Sequence, residues 1–73
     1  MTPQEYRQIL QSLGRRQKQV TELLGYQPLA SHRWAAGTTA IPVPVALLLR
    51  AMQGGMISWD DVEALRRLYE TAG

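Results

Sequence analysis

The first apolar positions of the chain, Tyr6, Ile9, Leu10 and Leu13, fall at i, i+3, i+4 and i+7. That spacing gathers side chains on one face of an α-helix. The residues ahead of them supply a start: Thr2 can cap, Pro3 fits the first helical position, and Glu5 can reach back to close a capping box. Gly14 supplies the stop, since helices commonly close on a residue of positive φ. Val20, Leu23 and Leu24 then mark a second helix from about Arg16 to Leu24, ended by Gly25. Pro28 opens a third, where its missing N–H costs nothing, and this helix runs to about Ala36 and stops at Gly37. Between Gly25 and Pro28 the chain has only two residues in which to change direction, so "LLGYQPLASHRWAAG" spells a corner between two short helices.

Beyond Gly37, "TTAIPVP" is an extended connector, because a residue preceding proline is pushed out of the helical region. Val45, Leu48, Leu49 and Met52 repeat the i, i+3, i+4, i+7 stripe and predict a fourth helix. Gly54–Gly55 breaks it. A fifth helix, about 58–71, starts with Ser58 as cap, Asp60 and Asp61 in the first turn, and Ile57 and Val62 placed as a hydrophobic staple. No segment alternates as a strand does. The expected fold class is all-α: a compact bundle of five short helices in one domain, 1–73.

Composition narrows the function. A chain of 73 residues buries only about 60% of its unfolded surface, so its stability is expected to be modest and dimerisation helpful. It has no cysteine and a single histidine, His32, which leaves no thiolate site and little for a metal centre; no cofactor or small-molecule ligand is expected. No apolar run approaches the roughly 20 residues of a membrane span, and "MTPQEYRQ" lacks the layout of a signal peptide, so a cytoplasmic location is expected. Charge is uneven. Residues 15–50 carry Arg15, Arg16, Lys18, Arg33 and Arg50 against Glu22 alone, a net +4, whereas residues 58–73 set Arg66 and Arg67 against Asp60, Asp61, Glu63 and Glu70, a net −2. A basic centre of this kind suits a polyanion, although a small excess also arises by chance.

Catalysis finds no support. First-turn carboxylates at Asp60 and Asp61 are explained by the helix dipole, and the chain holds no glycine-rich phosphate loop, metal triad or nucleophile–base set.

Two short helices meeting at a glycine turn form a helix-turn-helix unit, here about 16–37, whose second helix is narrow enough for the DNA major groove. "RQKQVTELLGYQPLASHRWAAGTTAIPVPVALLLRAM", Arg16 to Met52, resembles the lambda-repressor-like (Cro/repressor, XRE-type) helix-turn-helix family, in particular its small prophage-type regulators. The resemblance rests on Gln17 opening the second helix, Leu24–Gly25 at the turn, Trp34 late in the third helix, Gly37 and the "IPVPVALLLRAM" helix. With the first helix it covers about residues 2–52. It implies a five-helix bundle whose third helix reads the major groove, with Gln17 on a phosphate and Gln27, Pro28, Leu29, His32 and Arg33 at base-reading positions. It also implies a nucleoid-associated transcriptional regulator, a repressor binding double-stranded DNA as a homodimer on an inverted-repeat operator, with the C-terminal helix as a candidate dimerisation element. The sequence departs from the family pattern at Gln27, where a small polar cap is usual, at Thr21 in the middle of the second helix, and at Ser31, normally an apolar inward position. Ala35 replaces a common glutamate, and Pro28 and Leu29 stand where polar readers often stand.

Each candidate has a plainer reading beside the functional one. Arg33 can pair bidentately with guanine or simply be solvated, and His32 can bond a base or phosphate or simply be exposed. Leu29 can touch a thymine methyl or be one more surface leucine. Arg15, Arg16 and Lys18, with Thr38 and Thr39 just past Gly37, can reach phosphates, which fix register without reading sequence. Trp34 is expected in the core, because the bundle needs one large residue there, and Trp59 is open between core and partner surface. The competing function is a protein-interaction module of the same fold, an antitoxin-like or antirepressor subunit without specific DNA readout.

Overall fold

A computed structural model describes residues 1–72, with side chains through Glu70; Gly73 lies outside the described residues. The chain forms five α-helices: α1 (Pro3–Leu13), α2 (Gln17–Leu24), α3 (Pro28–Ala36), α4 (Val43–Gln53) and α5 (Trp59–Ala72). Among the described residues there is no strand.

The helix starts follow from local chemistry. The Thr2 hydroxyl accepts from the Glu5 N–H at 3.1 Å while the Thr2 N–H donates to Glu5 Oε1 at 3.1 Å, a closed capping box. Ser58 and Asp61 repeat the device at α5, at 3.0 and 3.1 Å. These bonds, made to the ionised carboxylates, hold both below their ordinary acidity constants; at Glu5 the bond from the Thr2 backbone is the largest cause, and Arg50 contributes further. Glycine is required at two ends in particular. Gly25 closes α2 at φ 78°, the left-handed conformation that turns the chain toward α3. Gly37 closes α3 at φ 78°, and a Cβ there would also stand 3.2 Å from Pro3 Cγ.

The apolar stripes meet in one core. α1 contributes Tyr6, Ile9 and Leu10, α2 Val20 and Leu23, α4 Val45, Leu49 and Met52, and α5 Trp59 and Val62. α2 packs on α3, α1 lies against both α3 and α4, and α5 leans on α2. Trp34 sits at the centre of the α1–α3 contact, edge-on to Tyr6 (centroids 6.0 Å apart, planes at 87°) and to Tyr26 of the corner (5.0 Å, 81°), an arrangement that aligns ring edge with ring face. Trp59, open on sequence grounds, is a buried core residue; its indole N–H donates to Glu63 Oε1 at 2.7 Å.

Candidate nucleic-acid interface

α3 divides cleanly into two faces. Ser31, Trp34 and Ala35 point inward and are buried. Leu29, His32 and Arg33, at i, i+3 and i+4, occupy the opposite face and are exposed, as are Gln27 and Pro28 ahead of them. Gln27 stands at the N-cap with extended backbone, yet its side chain makes no capping bond, so its amide is not spent on the helix. Among the described residues neither His32 nor Arg33 makes a side-chain hydrogen bond or ion pair. Arg33 lies in the last turn of α3, where a cation also suits the helix dipole.

The buried face is held by polar contacts the sequence pattern did not disclose. Ser31, out of place as an inward residue by the family pattern, has its hydroxyl hydrogen-bonded to that of Tyr6, and both residues are 0% exposed. Burial raises the Tyr6 phenol above its ordinary acidity constant, partly opposed by Ser31. Arg7 Nη1 donates to the Ala35 carbonyl, one of the last four carbonyls a helix leaves unpaired. The Arg33 and Trp34 carbonyls accept from the N–H groups of Thr38 (3.0 Å) and Gly37 (3.3 Å). α3 is thus pinned along its inner side while its outer side stays clear. The one hint in the sequence was Ser31 itself, a hydroxyl at an inward position that must find a partner.

Thr21, the other unusual inward residue, is also 0% exposed; its hydroxyl donates to the Lys18 carbonyl at 2.9 Å. The hydroxyl is thereby satisfied within its own helix, and Thr21 is buried without an unpaired polar atom.

The remaining cations fall into groups. Arg16, the exposed N-cap residue of α2, makes no ion pair among the described residues; its backbone N–H donates to Gln19 Oε1 at 2.8 Å. Gln17 is half-buried at the first position of α2, and Thr38 and Thr39 are exposed beyond α3. Lys18 lies 3.7 Å from Glu22, with both side chains well exposed, an arrangement worth little. Arg15 is half-buried with its guanidinium 4.7 Å from the centre of the Trp59 ring. Arg50 is paired with Glu5 and donates to Gln53 at 3.1 Å. Of the five cations of the basic centre, Arg16 and Arg33 are therefore the ones exposed and without an internal ionic or aromatic partner.

A second exposed feature lies on α5. Leu65, Leu68 and Tyr69 are exposed at i, i+3 and i+4, and Leu65 and Tyr69 line a shallow groove together with Leu23, Leu24 and Val62. No helix among the described residues is long and apolar enough to cross a membrane. The chain matches no family model, no curated protein and no solved structure.

Proposed function

We propose that the chain is a double-stranded-DNA-binding transcriptional regulator of the lambda-repressor-like, helix-turn-helix kind, a cytoplasmic, nucleoid-associated repressor that acts as a homodimer on an inverted-repeat operator. The observation that carries this reading is the outer face of α3, where Leu29, His32 and Arg33 are exposed while the inner face is fixed to α1 through Tyr6 and Arg7. A rigidly seated helix with a clear outer strip can lie in a major groove about 12 Å wide. Arg16, Gln17 and Lys18 at the start of α2 supply cation and amide donors for phosphates. The stripe Leu65, Leu68 and Tyr69 supports the homodimer, whose half-sites would lie about 34 Å apart.

Fluorescence anisotropy with duplex DNA from upstream of its own coding sequence tests the proposal. Binding falls with salt by about 0.9 in log K per unit log salt for each phosphate neutralised. Arg33→Ala relaxes sequence preference, whereas Lys18→Ala weakens all duplexes alike. Salt-insensitive or absent binding at micromolar protein contradicts it. In that event the exposed Leu29, Leu68 and Tyr69 favour the second reading, a protein-interaction module, which a co-purifying partner and no selected operator would support.

A further inference from the structure

The strip that α3 turns outward has an unusual chemical content for reading bases. Its centre is Leu29, 63% exposed in the first turn. His32 and Arg33 flank it one turn later, and no amide or hydroxyl side chain lies among the three. The exposed amide of Gln27 stands ahead of this strip at the N-cap, and the strip itself carries one apolar group and one guanidinium on the same face. In the major groove the apolar feature of a base edge is the C5 methyl of thymine, and the bidentate partner of a guanidinium is guanine O6 and N7.

We infer, resting on the DNA-binding reading above, that Leu29 reads thymine through its methyl group and Arg33 reads guanine, the two bases lying within about two steps of each other. The separation follows from helix geometry. Four residues at about 1.5 Å rise set Leu29 and Arg33 about 6 Å apart along the axis of α3, and successive base pairs are spaced about 3.4 Å along the duplex axis, so the two residues span no more than about two steps. Tyr6–Ser31 and Arg7–Ala35 fix α3 from behind, so the separation is set by the backbone of a seated helix rather than by flexible side chains alone. Leu29 is then a specificity-determining residue, and its exposure in the free protein is the cost of that role.

Selection from random-sequence duplex pools tests this with the full chain, using one pool made with thymidine and one with deoxyuridine, which lacks only the methyl group. The thymidine pool is expected to enrich thymine and guanine within about two steps of each other; the deoxyuridine pool keeps the guanine and loses the uracil preference. In the selected duplex, exchanging that one thymine for uracil weakens binding about four-fold, equivalent to about 0.8 kcal/mol for one buried methyl, and Leu29→Ala binds both duplexes equally. The uracil comparison needs no variant protein, and circular dichroism confirms that Leu29→Ala keeps its helices. Equal enrichment in the two pools, or a Leu29→Ala protein that still discriminates, overturns the methyl readout while leaving DNA binding intact. No enrichment in either pool overturns both.

Discussion

Removing the Tyr6 hydroxyl with Tyr6→Phe keeps the ring that packs on Trp34 but leaves the Ser31 hydroxyl alone in a site with no exposure. A buried polar group deprived of its partner costs about 1–3 kcal/mol, whereas removing both partners can be nearly neutral. Tyr6→Phe and Ser31→Ala are therefore each expected to destabilise by about 1–3 kcal/mol. The double variant should be less destabilised than the sum of the two by a comparable amount. In a domain of this size, about 4–8 °C of melting temperature is lost per kcal/mol, well within reach of thermal or urea unfolding followed by circular dichroism. A second readout comes from pH. The Tyr6 phenol is raised above its ordinary 10.0 by burial, so the folded state favours the protonated form. That stability is complete below pH 10 and is lost as pH rises through the folded value. Tyr6→Phe should remove this alkaline contribution. Additive costs in the double variant would refute the pairing of the two hydroxyls, and an unchanged alkaline limb in Tyr6→Phe would refute the burial of the phenol.

Two further outcomes follow from the helix ends. Gly37→Ala should destabilise by about 1–2 kcal/mol or more, because an L-residue must adopt the left-handed region and its Cβ would crowd Pro3 at 3.2 Å; equilibrium unfolding measures this, and an unchanged midpoint would contradict it. Glu5 and Asp61 are lowered from 4.5 and 3.8 by their capping bonds, so their stabilisation is present above those values and disappears as pH falls through the folded ones. Glu5→Gln with Asp61→Asn should flatten the acid limb of the stability profile, and an identical limb in that variant would count against the capping account.

Most of the helical frame is legible in the sequence because its signals are local. Pro3 and Pro28 stand at first helical positions, and Gly14, Gly25 and Gly37 end their helices in the left-handed region, as the stop signals require. Of the two stripes, Tyr6, Ile9, Leu10, Val45, Leu49 and Met52 are buried as their spacing predicts, while Leu13 and Leu48 are half-buried at the edge of the core. Boundaries moved by about a residue: Arg16 caps α2 rather than starting it, and α5 spans Trp59–Ala72 instead of about 58–71. What local pattern could not deliver are pairings across the chain. Tyr6 meets Ser31 25 residues away, Arg7 meets Ala35 after 28, and Arg50 meets Glu5 after 45; no periodicity in either segment encodes its partner. For the same reason the count of cations overstated the free charge of the centre, since Arg50 is ion-paired and Arg15 lies over Trp59. Ser31 shows the converse: a hydroxyl at an inward position is explained once its partner, the Tyr6 hydroxyl, is known. The exposure of all five proposed base-reading residues, Gln27, Pro28, Leu29, His32 and Arg33, was legible, because a helix with one buried face must present the other.

The central claim is that the α2–α3 corner is the surface that meets a duplex. Amide chemical shifts of the full chain, followed while mixed-sequence duplex DNA is added at low salt, test this residue by residue. The account predicts changes concentrated at residues 16–18, 27–33 and 38–39 that reverse on raising salt. Changes centred on the outer side of α5, or none at any DNA concentration, would contradict it.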